Sequence, residues 1–403
     1  MKKLKLGMIK KALFITLLLA SVLTFGQSKF TLDGRVEGMP VYWKLKGDNF
    51  ATLGLDLNKL YSYSSLNNRL NLNWYPSSKI HFQLGLRTTY IFGDIVYELN
   101  SKLNGIYNAM YTDDSGWMNL THAWTQNDNG VLVSNIDRLF FQYNGKKLTL
   151  TIGRQRINWG VHMVWQPNDI FNSFNYLDFN YPERPGSDAI RFQYFTGMTS
   201  SLEMSYKINA KNQSTYAAKY AFNHWNYDFQ LMGGMMNDEY WVSGFAFSGN
   251  IGGAGFNGEA AYYIPKSNEV AKKETLIAAL GANYMFKNSL FINVGGLLNS
   301  VGSTKKVARS MFMMMENISA LDYTQSLANL FASASYPVTP LINLDISGMI
   351  NPFDSSFYVG PSLNVSISNN VSLYFIAQTF WGESGSEYGD IGQMYFSRLQ
   401  WNF

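Results

Sequence analysis

The chain has ten arginines, and seven of them fall between Arg69 and Arg191. In segments where apolar and polar residues alternate, Arg69, Arg87, Arg138 and Arg191 occupy polar positions, and Arg398 does the same near the C-terminus. Guanidinium stays charged at any physiological pH, so five such groups on one polar face form a wall that concentrates anions. Glu203, Asp228, Glu259 and Asp345 hold the same parity in later segments and are expected on an opposing wall, which would set up a transverse field. The competing role is mutual pairing, in which arginines and acids only stiffen the scaffold. Arg154 and Arg156 share parity with Leu148, Leu150 and Ile152. Either Gly153 marks a bulge that flips the register, the preferred reading, or the two arginines stand at the strand's outer end beyond the apolar band.

A second concentration of chemistry lies in the stretch 157–186. Trp159, His162, Trp165, Phe171, Phe174, Tyr176, Phe179 and Tyr181 interleave with Asn168, Asp169, Asn172, Asn175, Asp178 and Asn180, and Glu183 and Arg184 follow. So long and aromatic a connection has a role, because disordered segments are poor in aromatics. Constriction of a pore, or ligand binding with rings stacked on sugars, fits better than a passive plug. Asp169, Asp178, Glu183 and Asp188 match no metal-ligand spacing, so no metal is expected. Methionines 311 and 313–315 with Phe312 make a soft apolar cluster of undecided role. Only four histidines occur (His81, His122, His162, His224), on unrelated segments, and there is no metalloprotease, nucleophile-elbow or phosphate-loop pattern. No catalytic residue, enzyme activity or cofactor is therefore expected.

The elements that must position these groups read as strands. Leu70, Leu72 and Trp74 alternate with Arg69, Asn71 and Asn73, and Ile80, Phe82, Leu84 and Leu86 alternate with His81, Gln83, Gly85 and Arg87. The spacing predicts strands near 29–38 or 50–58, then 66–75, 79–93, 134–144, 146–156, 187–196, 199–208, 214–223, 226–236, 239–249, 252–264, 273–286, 289–299, 325–336, 341–350, 356–368, 371–381 and 391–403. Counted back from the C-terminus, the short connections at 76–78, 144–146, 197–198, 287–288 and 369–370 fall in one class. The long ones near 94–133, 157–186, 300–324 and 382–390 fall in the other. Transmembrane barrels sort their connections this way, with long loops extracellular. The fold class is thus all-β, a transmembrane antiparallel barrel of sixteen to eighteen strands with apolar side chains toward lipid and polar ones toward a wet lumen.

The N-terminus points to export. Lys2, Lys3, Lys5, Lys10 and Lys11 precede an apolar run from Ala12 to Phe25, so residues 1–26 read as a signal peptide and 27–403 as the barrel. Five of the 32 basic residues lie in that leader, leaving 27 against 28 acids, so the basic balance of the whole chain implies no nucleic-acid partner. No cysteine is present, so neither disulfides nor a lipid-anchored cysteine are in question.

Two resemblances add to this. The last segment, with Tyr395, Leu399, Trp401 and the terminal Phe403 on one face, resembles the terminal strand of bacterial outer-membrane proteins, which implies the barrel-assembly machinery as a partner. Residues 152–191, with G-R-Q-R-I-N-W-G at 153–160 and P-E-R-P-G-S-D-A-I-R at 182–191, resemble porins of the alginate-export and DUF1302-like families. That resemblance implies a monomeric or trimeric barrel in the Gram-negative outer membrane, in contact with its lipids and passing small polar solutes or saccharides. The expected function is a porin-like channel for passive diffusion of small polar or anionic solutes. A polysaccharide-export or anchoring barrel and a structural barrel with packed inward aromatics such as Phe140 and Phe396 are the alternatives.

Overall fold

The computed structural model describes residues 29–173, 175–178, 186–267, 272–308 and 319–403, so the expected leader and the methionine cluster lie outside the described residues. The strands are β1 (Phe30–Lys44), β2 (Leu60–Ser77), β3 (Ile80–Gly93), β4 (Thr121–Asn127), β5 (Gly130–Asn144), β6 (Leu148–Gln155) and β7 (Ser187–Phe195). They continue as β8 (Ser201–Ile208), β9 (Ser214–His224), β10 (Tyr227–Met236), β11 (Tyr240–Ile251), β12 (Ala254–Pro265) and β13 (Thr275–Met285). The series ends with β14 (Phe291–Asn299), β15 (Ala328–Thr339), β16 (Ile342–Ile350), β17 (Phe357–Ser368), β18 (Val371–Trp381) and β19 (Gln393–Asn402). Short helices α1 (Asp48–Thr52), α2 (Asp94–Lys102) and α3 (Ile106–Thr112) sit in the first two long connections.

Each strand pairs antiparallel with its neighbour, and β1 pairs with both β2 and β19, so the sheet closes on itself as an 18-strand barrel. Closure removes the edges whose unpaired backbone groups a bilayer core cannot hydrate. The closing seam ends with Gly34 and Phe403 exchanging both backbone hydrogen bonds, at 2.9 and 3.0 Å. Period two then sorts the side chains. Leu66, Leu72, Ile190, Leu280, Leu330, Leu344 and Leu399 are exposed on the outer face, while Arg69, Glu203 and Glu259 on the opposite parity are buried within. Phe30, Trp74, Phe82 and Phe141 run as an outward aromatic row near one rim, with successive centroids 5.6, 5.0 and 5.1 Å apart.

Connections at that rim are two to five residues long. Trp225–Asn226 and Gly252–Gly253 take positive φ at both positions, the primed geometry that follows strand twist. The other rim carries the long connections, and described parts of several of them pack inward. Ile95, Val96 and Leu99 of α2, Tyr107 of α3 and Tyr388 of the last connection are all buried.

The structure departs from the expected elements in two places. The first strand is Phe30–Lys44, and 48–52 is helical, so the alternative of a strand at 50–58 is wrong; Gly54 at φ 70 breaks extended structure there. The connection expected as a plain loop over 94–133 contains α2, α3 and a hairpin, β4 with β5, whose strand begins at Gly130. β6 covers only the lower half of β5, from Leu139 to Asn144, and β4 takes over beside its upper half. Here the barrel wall is built from two segments stacked end to end.

Candidate functional site

The described residues of the long connection between β6 and β7, 156–173 and 175–178, lie inside the barrel. Trp159, His162, Val164, Trp165, Ile170, Phe171 and Leu177 are each buried, and six of these, the histidine apart, are large and apolar. At about 1.5–3 kcal/mol per fully buried apolar side chain, docking of this loop is a large term that no single polar contact outweighs.

Polar contacts decide where it docks. Glu259 of β12 accepts from the backbone N–H of Val161 and of His162, both at 2.5 Å, and from that of Asn168 at 3.2 Å. Tyr263 on the same strand donates to the Pro167 carbonyl at 2.7 Å, and Asn168 donates to that of Phe245 at 3.0 Å. Glu203 of β8 accepts from Trp159 Nε1 at 2.6 Å and from Arg191 Nε and Nη2 at 2.6 and 3.0 Å, while Lys219 Nζ lies 3.7 Å away and over the Trp159 ring. Lys207 donates to the Phe171 carbonyl at 2.7 Å, and Gln378 of β18 donates to that of Leu177 at 3.0 Å. Trp165 and Tyr176 meet Phe331 of β15 edge-on.

His162 fills a notch in the wall. Gly281 and Gly295 face each other across β13 and β14, and a Cβ at either would stand 2.7 or 2.9 Å from His162 Nε2. The ring's Nδ1 accepts from Val164 N at 3.1 Å and Trp165 N at 3.2 Å, so the imidazole is neutral with its proton on Nε2, toward the Leu280 carbonyl. Burial holds its pKa below the ordinary 6.5.

Three arginines stand together on β1, β2 and β3, outside the strands β8, β12 and β18 whose side chains anchor the loop. Arg35 pairs across strands with Arg69, and Arg69 with Arg87, giving a row over β1, β2 and β3. Like charges so placed repel, and acids relieve them: Arg69 Nη1 lies 2.5 Å from Asp137 Oδ2, and Arg35 lies 3.7 Å from Glu37. A register shift between β3 and β5 leaves Asp137 as an extra residue beside Arg138, the bulge that lets both meet the interior. Arg398 of β19 lies over the Tyr374 ring at 4.5 Å.

The expected opposing acid wall is corrected in part. Glu203 stands beside Arg191, one strand away, and Glu259 is occupied by loop N–H groups, so both anchor structure; parity alone could not assign partners. Asp228 accepts from Asn223 at 2.8 Å and Asp345 from Asn343 at 2.8 Å, on strands far around the barrel from β2. Asp169 is fully buried and accepts from Asn172 N at 3.2 Å, and Asp178 acts on Tyr63 and Tyr111, so the loop acids are dispersed. Phe174, Glu183 and Arg184 lie outside the described residues.

The preferred bulge at Gly153 is also wrong. β6 keeps continuous register with both neighbours through Arg154, which retains the outward parity of Ile152. Arg154 is nonetheless buried, because the irregular segment 113–120 leading into β4 straps over it. Its Nε and Nη2 reach Asp188 at 2.7 and 2.8 Å, and its Nη1 reaches Asp114 at 2.9 Å. Sequence reading passed over Lys207, Lys219, Asp137 and the Gly281–Gly295 notch. Inward parity marked the two lysines, while nothing local marked the notch.

No family model and no curated protein sequence matches this chain. Solved structures do. OccAB3 of Acinetobacter baumannii is 9% identical, with a TM-score of 0.58 over 92% of this chain and 99% of that one. OccK8 (OprE) of Pseudomonas aeruginosa is 8% identical, with a TM-score of 0.58 over 93% and 98%. OccK11 (OpdR) of the same organism is 9% identical, with a TM-score of 0.53 over 93% and 95%. The fold is the one these structures share, a closed 18-strand antiparallel barrel. These structures give no support to the narrower likeness of residues 152–191 to alginate-export and DUF1302-like barrels. In this barrel, the inward loop and the arginine row lie in one interior.

Proposed function

We propose that this chain is a channel of the Gram-negative outer membrane through which small polar or anionic solutes diffuse passively. One observation carries the reading. The 156–186 loop leans on β8, β12 and β18 through Glu203, Glu259 and Gln378, while Arg35, Arg69 and Arg87 form a cross-strand row on the remaining arc. Solute passes between loop and arginines, the long-loop rim outside the cell and the short-turn rim toward the periplasm. The guanidinium row favours anions, and Arg191, about a quarter exposed beside Glu203, extends it. Trp159 and Trp165 are buried in the packing of the loop, which weighs against a glycan platform built on those rings.

Conductance of the refolded chain in a planar bilayer under a salt gradient tests this. Stable current with an anion-favouring reversal potential is expected, and Arg87→Ala should move that potential toward zero by several millivolts. A folded barrel without conductance overturns the channel reading. An unchanged potential in the variant confines the arginines to a structural role.

A further inference from the structure

We infer that His162 is an acid-released latch that holds residues 161–165 of the interior loop against the barrel wall. The inference rests on the loop's place in the proposed channel, but concerns its seating, not solute passage. The imidazole sits in the notch left by Gly281 and Gly295, and its Nδ1 lone pair collects two backbone N–H groups of its own turn, from Val164 and Trp165. The Trp165 ring stacks against it with centroids 6.0 Å apart. A proton on Nδ1 turns the acceptor into a donor facing two donors, in a space with no room for water on the glycine side. Both bonds are lost together, and the turn must rotate to hydrate the cation.

The groups around the ring set the direction. From β12, Glu259 accepts the N–H groups of Val161 and His162, and Tyr263 stands beside it. Asp169, on the loop itself, acts on Glu259 and is faced by Lys207 of β8 and Lys219 of β9; Tyr323 lies next to Tyr263. β13 and β14 offer only the two glycines and the Leu280 carbonyl at the ring. Glu259 accepts from the turn, and its own protonation would weaken the same three anchoring bonds. Acid therefore acts in one direction on both groups. Because burial disfavours the imidazolium, the latch holds at neutral pH and is lost on acidification, with a midpoint below the ordinary 6.5. The apolar burial elsewhere in the loop keeps Phe171 and Leu177 docked, so the release is local.

The absence of native cysteine permits a single nitroxide at Met163→Cys, a half-exposed position within the turn. The refolded full chain in vesicles is then titrated from about pH 7.5 to about pH 4.5 while label mobility is read by electron paramagnetic resonance. A label immobile at neutral pH and several-fold faster after a midpoint below 6.5 is the expected result, with His162→Gln losing that step and keeping only the release that Glu259 supplies. No change with pH, or the same titration in His162→Gln, overturns the latch. Gly281→Ala gives a second check, since its methyl would crowd His162 Nε2 at 2.7 Å. That variant should be mobile at neutral pH, and an immobile label there also overturns the seating. Label mobility needs no current, so failure of the latch and failure of the channel reading are separable.

Discussion

Arg154 and Asp188 stand opposite one another on β6 and β7, at side-chain exposures of 3% and 5%, with Asp114 at 5% closing the cluster. Removing one partner of such a buried pair leaves a charge that lipid-side packing cannot hydrate, at a cost of about 3–5 kcal/mol. Asp188→Asn should therefore lower the denaturant midpoint of the refolded barrel by a matching amount, with little dependence on salt; a change below 1 kcal/mol, on the scale of about 0–1 for surface pairs, would place the cluster in solvent. The same cluster has a pH signature. Burial alone would raise Asp114, but Arg154 and the N–H groups of Gly116 and Leu120 hold it below the usual 3.8. A depressed carboxyl stabilises the fold above its unfolded value and loses that contribution only as pH falls through the lowered one, so the strap stays attached through mild acid.

The interior loop is an element held by two kinds of force that act at different ranges. Its buried aromatic and aliphatic side chains keep it inside the barrel, whereas Glu259 chooses which strands the 161–168 turn rests on. Each hydrogen bond to a charged acceptor contributes about 1.5–3 kcal/mol, so Glu259→Ala removes the local anchor without expelling the loop. Larger current fluctuations and a changed mean conductance are expected in single-channel records of that variant, with the heat-modifiable gel shift of a folded barrel retained. Records indistinguishable from the parent would show that the turn is fixed without Glu259.

For the whole molecule, stability rests on closure, and closure rests on the β1–β19 seam. Gly34 has no side chain because a Cβ would stand 2.5 Å from the Arg69 carbonyl oxygen and 2.6 Å from the Phe403 ring. Gly34→Leu forces the first strand away from both neighbours, and a folded barrel with an opened seam exposes unpaired backbone to lipid at several kcal/mol per group. The variant should convert from the folded to the unfolded gel band at a temperature at least about 10 °C lower, since about 1 kcal/mol already moves small domains by several degrees. Equal resistance to heat would mean that the seam tolerates a shift in register.

Strand positions, their number and the apolar face were legible in the sequence because period two is a local property: Leu70, Leu72 and Trp74 declare the lipid side wherever the strand sits. The sorting of short and long connections was legible for the same reason, since each connection's length is set by its own residues. Partnership was not. Arg191 with Glu203, Arg69 with Asp137, and Glu259 with a backbone turn 91 to 98 residues away in sequence depend on strand order, shear and a bulge at Asp137. Arg154 shows the limit most plainly. Its outward parity was local and survived, but its burial came from the 113–120 strap, whose path over the wall follows from how low β6 and β7 end. Local periodicity determines which face a side chain takes. What meets it there is decided only when the sheet closes and its loops fold back into it.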